Sequence, residues 1–387
     1  MPINKKTFCL APWYSIFLNS RGNLAPCCSF LEPNQNYKST KEYFNSADLN
    51  AVRKDLLSGI KNPACKRCWK DEENGKDSLR MQHNRTLALH TDLDIKEQIK
   101  KPNLSKIKSF DLTLGNLCNL KCVMCKPELS SQLLAEAELN PQLTRRYGKK
   151  ENQKDFDWAK GQDFANWCNQ YLPQSIHIKF TGGEPFMIPW IQKVIDEIPD
   201  EQKSKCVLHF TTNLTIVNNK LFDNFKKFKE VWISVSVEGT HETHEYMRYG
   251  HSWALLTQNI KDILSRKIGN LIFIINHVVQ APSYHSILDM TNFFDALKMK
   301  INPILATRPK HYHISALTKK AKQDLLRQTE SYNGYNTEFI QFVRSVSQAH
   351  MDQDKSLTKD CIRDLELLDN VRKNSHRDII PLENIKI

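Results

Sequence analysis

Cys118, Cys122 and Cys125 stand in the run LTLGNLCNLKCVMCKP with C-x3-C-x2-C spacing. Three thiolates on one tight loop can hold three irons of a cubane iron–sulfur cluster. A structural zinc site normally takes a fourth ligand close by, and none follows here. The open fourth position has a use, because a small molecule can chelate the unique iron through an amino and a carboxylate group. Spacing alone leaves two plainer readings open, three buried loop cysteines or a zinc site completed from afar. The position of the triplet just past a strand in an α/β frame weighs against both.

A second group of cysteines lies upstream. Cys9 and Cys27 bracket Gly22 as C-x12-G-x4-C, and CKRCW supplies Cys65 and Cys68 as C-x2-C. Cys28 adjoins Cys27. The chain has 11 cysteines and begins MPINKKTFCLAPWY, with no long apolar stretch and no small-residue cleavage site. An odd count without an export signal argues against a disulfide framework. Clustered cysteines in a reducing compartment more often hold metal or do redox work, and the expected location is cytoplasmic.

The elements that must position these groups show in the apolar patterning. Six short β-rich runs appear: 107–115, 175–183, 205–213, 231–239, 271–279 and 301–306. Each is dense in Ile, Val, Phe or Thr and too short for a helix. Between them, 188–198, 219–228, 254–266 and 287–297 repeat apolar residues at three- and four-residue spacing, the helical period. Strand–helix alternation implies a parallel sheet with right-handed crossovers. Six strands fit an open, partial barrel better than a closed eight-stranded one. The expected fold is α/β, a partial (β/α)6 barrel over residues 104–312. A small Cys-rich domain precedes it over 1–103, and a helical extension follows over 313–387. Residues 100–103 read as a linker, and the polar stretch 144–157 as a surface insertion.

Behind the triplet, further short motifs follow in strand order. Strand two ends in TGGEP, 181–185; strand three ends in TTN, 211–213; strand four gives SVSVEGTHETHEYMRYG, 234–250. With CNLKCVMC, this order and spacing resembles the radical SAM superfamily over roughly residues 107–310. Each short motif is weak alone, since GGEP is also an ordinary turn. Two departures are visible: Met124 where the family often has an aromatic residue near the adenine, and Leu214 where relatives often have glycine. Methionine is apolar and polarisable and can fill the same space.

The resemblance implies a [4Fe–4S] cluster on Cys118, Cys122 and Cys125, with S-adenosylmethionine (SAM) bound to it. It implies cofactor contacts from Gly182, Gly183, Glu184 and Pro185, with Glu184 accepting from the SAM ammonium. Thr212, Asn213 and Ser234 would join them, with Ser236 at the ribose and Arg248 at the SAM carboxylate. The upstream cysteines resemble the auxiliary-cluster module called SPASM or, in its shorter form, twitch, which is usually C-terminal. That resemblance implies one auxiliary [4Fe–4S] cluster on Cys9, Cys27, Cys65 and Cys68. Cys28 is held in reserve, because adjacent residues rarely both reach one small cluster. A structural zinc on the same thiolates is the rival reading. Cys168 and Cys206 fit buried small hydrophobes. Cys361 is a candidate hydrogen-atom donor to a substrate radical, against the plainer reading of a core cysteine.

The implied function is reductive cleavage of SAM and hydrogen abstraction from a peptide or protein, giving epimerisation, cross-linking or oxidation. A sugar or nucleotide-linked sugar is the alternative substrate. From a different class, a non-catalytic Fe–S protein or a nucleic-acid-binding protein stays open. The net charge of +12, from 55 basic and 43 acidic residues, favours acidic partners. No zinc knuckle or aromatic RNA-binding signature accompanies it, so nucleic acid is not the expected partner. An electron donor such as flavodoxin or ferredoxin is implied by the resemblance. No apolar run is long enough to span a membrane.

Overall fold

The computed structural model describes residues 6–31, 37, 39–73, 77–88, 94–148, 153–381 and 384–385. Residues 1–5, and 149–152 of the expected insertion, lie outside these. One sheet organises the molecule. Its strands are β1 (Ser15–Leu18), β2 (Leu24–Ala25), β3 (Ser109–Thr113), β4 (His177–Thr181), β5 (Val207–Thr212), β6 (Glu230–Ser236), β7 (Leu271–Val279) and β8 (Lys300–Leu305). The order across the sheet is β2-β1-β3-β4-β5-β6-β7-β8. Every neighbouring pair is parallel except β1 with β2.

The six strands β3–β8 fall on the six β-rich runs. Their alternation explains the register. Phe110, Leu112, Ile178, Phe180, Leu208, Phe210, Val231 and Ile233 are all fully buried and face the covering helices, chiefly Pro189–Glu197, Asn219–Phe225 and Trp253–Ser265. On the opposite face the register sets Asp111, Lys179, His209 and Trp232 side by side. That face is polar and half-buried. Parallel strands buried on one face by helices are the expected product of right-handed crossovers.

Two further strands come from the Cys-rich region. β1 runs parallel to β3, with Ser15 opposite Ser109 and Leu18 opposite Leu112. Sequence patterning missed it because SIFL is only four residues long and follows directly on the short helix Ala11–Tyr14. β1 thus joins the N-terminal region to the edge of the barrel sheet.

The C-terminal segment is helical, as expected: Lys319–Gln328, Thr337–Ala349 and Lys355–Arg372. The last opens on Asp354, whose carboxylate accepts from the amides of Ser356 and Leu357, a side-chain cap. It buries Leu365 and Leu368. At its end Arg372 grips Glu136 through two hydrogen bonds, 3.1 and 2.9 Å, with both side chains buried. Glu136 also meets Lys121 at 3.1 Å. The last helix is therefore tied to the loop that follows β3. Among the described residues no helix is long and apolar enough to cross a membrane.

Candidate cluster and cofactor site

The loop after β3 carries the cysteine triplet, and hydrogen bonds from two directions fix its path. On one side the helix Ser131–Leu139 supplies its N-terminus: Ser130 Oγ donates to Leu120 O (2.6 Å), and Ser131 Oγ bridges the amide and carbonyl of Cys118 (3.2 and 3.1 Å). On the other, Lys121 and Val123 amides donate to the carbonyls of Tyr249 and Met247, 2.9 and 2.8 Å. The loop thus bridges the start of one helix and the segment that carries Arg248. Cys118 and Cys122 are buried, Cys125 half-buried. Burial pushes all three thiols up, Cys118 and Cys125 to about 12, and neighbouring cysteines add to the rise at those two. Thiols buried in this way become thiolates when a cation binds them.

The strand ends close round this loop. Gly182 and Gly183 have φ of +72° and +55°. A Cβ on Gly182 would lie 2.0 Å from Thr113 Cγ2, and one on Gly183 2.4 Å from Leu117 O. The glycine pair is therefore required for β4 to pass beneath the cysteine loop, a close backbone approach that no side chain permits. Glu184 N donates to Leu117 O at 2.7 Å. The Glu184 carboxylate is buried and accepts from Phe186 N (3.0 Å), Thr212 Oγ1 (2.6 Å) and Asn213 N (2.6 Å). Three donors from the protein occupy the group that the sequence assigns to the SAM ammonium. It joins the end of β4 to the end of β5, while Pro185 opens a 3-10 turn over Pro185–Met187.

Asn213 carries this link to the metal site. Its Nδ2 lies 3.9 Å from Cys118 Sγ and donates to Asn119 Oδ1 at 3.1 Å. Leu214, the second departure from the family pattern, sits at φ +57° and is wholly buried. A left-handed leucine is strained by roughly 1–2 kcal/mol, and burying its side chain, worth about 2 kcal/mol, offsets this.

Arg248 comes to the same centre from the far side. Its Nη1 lies 3.7 Å from Cys122 Sγ, and its Nη2 donates to Glu238 Oε1 at 3.0 Å. Glu238 was not singled out in the sequence, although it is the acid of the acid–glycine pair in SVSVEG. It is fully buried and also accepts from Val278 N (3.1 Å) and Gln280 Nε2 (3.2 Å). Burial pushes its carboxyl up to about 7, against the opposing pull of Arg248. Among the described residues, buried Arg248 Nε, Gln280 Oε1 and His277 Nε2 have no hydrogen-bond partner, so polar capacity remains around the centre. Ser234 Oγ lies 2.8 Å from His209 Nε2 inside the sheet, and Ser236 ends β6 beside Asn276.

A family model described as the radical SAM superfamily matches residues 112–293. The chain carries a radical SAM domain. Comparison with solved structures gave SuiB from Streptococcus suis bound to precursor peptide SuiA, at 17% identity over 71% of this chain and 62% of that one, TM-score 0.38. It also gave native anSMEcpe with bound AdoMet and Cp18Cys peptide, at 15% identity over 56% of each chain, TM-score 0.34. The chain thus spans about three fifths of the length of these structures or less. Comparison with curated proteins gave no match.

The donor set of the radical SAM domain fits a cubane with one open iron. Three cysteines lie on one loop, a neutral amide stands at one sulfur and a guanidinium at another. Amide and guanidinium donors offset the negative charge that thiolates and sulfides bring. Among the described residues no group of three or more His, Cys, Asp or Glu is arranged as round a single metal ion.

Upstream of the radical SAM domain, Cys9, Cys27 and Cys65 pack in one apolar cluster, and Cys68 follows Cys65 by one helical turn. Burial raises each thiol, Cys9 and Cys65 to about 12, and neighbouring cysteines raise Cys9, Cys27 and Cys65 further. Cys65 and Cys68 share one face at the start of the helix Lys66–Glu73, as the three-residue spacing dictates. Cys28 is exposed, and its charged neighbours are Asp111, Lys179 and Arg67. A second residue that sequence reading missed, Arg80, stands beside this group. It donates to Phe8 O at 2.7 Å and pairs with Glu72 through two bonds of 2.9 and 2.7 Å. Its charge stabilises the thiolates of Cys9, Cys65 and Cys68. Nothing in its local sequence distinguishes it from a surface arginine on the helix Leu79–Ala88.

Cys168 and Cys206 are buried in the main core, as their contexts suggested. Cys361 is wholly buried there too, and burial raises its thiol far above the ordinary range. It lies among Leu365, Leu368 and other core side chains, with no surface open to a substrate.

Proposed function

We propose that the chain binds a [4Fe–4S] cluster on Cys118, Cys122 and Cys125 and SAM at the cluster's open iron, and acts on a peptide or protein. When bound, cluster and SAM supply a one-electron reductive cleavage of a C5′–S bond, giving methionine and a 5′-deoxyadenosyl radical that takes a hydrogen atom from substrate. The chain's own residues hold and screen this chemistry. Gly182 and Gly183 let β4 underlie the loop. Glu184 locks β4 to β5 so that Asn213 reaches the Cys118 sulfur. Glu238 holds Arg248 against Cys122 and leaves one face of the guanidinium for a carboxylate. Ser236, at the mouth of β6, is placed for a hydroxyl.

The single observation behind this reading is the convergence of the cysteine loop after β3, Asn213 at the end of β5 and Arg248 at the end of the helix His241–Met247. A second cluster on Cys9, Cys27, Cys65 and Cys68 belongs to the same proposal. The peptide assignment leans on the +12 charge and on the resemblance of the upstream cysteines to a module found in peptide-modifying enzymes. The direct test is anaerobic reconstitution followed by dithionite and SAM. We expect 5′-deoxyadenosine and methionine from the wild type and none from the Cys118/Cys122/Cys125→Ala variant. Equal yields from both would end the proposal.

A further inference from the structure

A cavity of about 660 Å³ opens beside the outermost cysteine of the triplet, lined by Met124 and Cys125 on one side and by the last helix on the other. Its charges do not balance. Arg146 is spent on Asp364, Arg363 lies 3.3 Å from Asp360, and Lys126 lies 3.3 Å from Glu128. His311 Nε2 is a further neighbour of Asp364 at 3.1 Å. The three carboxylates of the lining are thereby matched. Arg145 and Arg308 also line the cavity, and among the described residues neither has an acidic partner.

The deeper wall is built, not incidental. Only 4% of the Arg146 side chain is exposed. Its guanidinium is fixed by Asp364 and by the carbonyl of Val123, yet among the described residues its buried Nε has no hydrogen-bond partner. An unsatisfied buried donor is costly, by about 1–3 kcal/mol, and a ligand oxygen would relieve that. A concave wall with a buried donor and two uncompensated guanidinia suits an inserted oxyanion better than a flat protein face.

We propose that this cavity binds a carboxylate side chain of an acidic peptide substrate, with Arg145 and Arg308 as the specificity-determining residues. The inference rests on the peptide reading above and gives it an anchor. An acidic residue seated here stands against Met124 and Cys125, so its neighbours in an extended chain, each about 3.3 Å further on, reach the cluster loop within a few residues. Charge and hydrogen-bond geometry together select carboxylate over amide at such a site.

The test uses the full reconstituted chain and a fluorescein-labelled hexaglutamate peptide, read by anisotropy at two salt concentrations. Loss of two charge-assisted contacts in Arg145→Gln/Arg308→Gln should weaken binding about tenfold or more. The control Lys226→Gln/Lys261→Gln removes the same charge from exposed sites elsewhere and should leave affinity within about twofold. Equal weakening by both pairs would overturn the proposal in favour of general surface charge. Displacement of the probe by SAM would overturn it by making the cavity part of the nucleoside site. Displacement by pyrophosphate but not by free hexaglutamate would overturn the peptide assignment, and displacement by flavodoxin would mark an electron-donor surface instead. Binding needs no SAM cleavage, so this result stands or falls apart from deoxyadenosine formation.

Discussion

Cys118, Cys122 and Cys125 come from one loop, whereas Cys9, Cys27, Cys65 and Cys68 are gathered from three stretches of chain spread over sixty residues. The first group is local in sequence, and its surroundings are not. Its loop is pinned by Ser130 and Ser131, by the carbonyls of Met247 and Tyr249, and by the Glu136–Arg372 pair. The second group is also held across distant stretches, but from within its own region, with Asn84 and Arg80 holding the backbone at Phe8 and Leu10. Yet both share one device. Each sets a largely buried arginine beside its thiols and fixes that arginine with a glutamate, Arg248 with Glu238 and Arg80 with Glu72. The difference lies in what remains free. Glu72 binds its arginine through both oxygens, while Glu238 uses one oxygen and gives the other to Val278 and Gln280. A doubly held arginine is a structural counter-charge. A singly held one can also turn a donor towards a ligand.

The largest effect should come from removing the loop thiols. Iron analysis after reconstitution should fall from about eight to about four per chain in the Cys118/Cys122/Cys125→Ala variant, with thermal stability little changed. If that variant unfolds, the loop carries the fold and the contrast between the sites fails. Next, Cys65→Ala/Cys68→Ala should lose the other metal centre and lower stability by several kcal/mol, because ligation there joins distant segments. Calorimetry checks this, and zinc in place of about four irons at this site would make it purely structural. Retained deoxyadenosine formation in this variant would sharpen the division of labour.

Smaller effects separate the two arginine clamps. Glu238→Gln should slow deoxyadenosine formation by about 10–100-fold, as loss of a residue orienting a metal-site neighbour does. Glu72→Gln should act on stability alone. The Glu238 carboxyl has a folded pKa raised from the ordinary 4.5 to about 7. The folded state therefore holds the extra proton between these values. Its contribution to stability is full below about pH 4.5 and is lost as pH rises through 7. Melting temperatures of wild type and Glu238→Gln should converge in acid and part above pH 7, with the variant then the more stable. A constant gap would show that folding leaves the Glu238 carboxyl at its ordinary pKa.

The smallest effect concerns the strained turn at Leu214. Leu214→Ala keeps the left-handed strain and loses the buried side chain, costing about 2–3 kcal/mol. Leu214→Gly loses the same burial but sheds the strain, so it should be the more stable of the two by about 1 kcal/mol. Denaturant melts decide the order.

The strand runs were legible because parallel strands covered by helices keep dense β-branched and aromatic residues, and the helices between them keep a 3.6-residue period. β1 was not, because four residues carry too little period to read. At the site, TGGEP and TTN were legible as places but not as roles. That Glu184 braces β5 depends on which backbone amides end up within reach, and the sequence does not carry distances. Cys361 shows the same limit in reverse, since a cysteine's chemistry is visible in sequence while its burial among core side chains is not.

The amino-acid sequence by itself determined the cysteine triplet, the six strand runs from β3 to β8 and the positive charge, since spacing, periodicity and composition are properties of the chain. Only the tertiary structure decided that Glu238 and Arg80 matter, that β1 joins the sheet, and that two arginines face a cavity beside Cys125 without acidic partners. Those facts depend on which groups lose water together, and a buried ion pair or an unbalanced cavity exists only once distant segments pack.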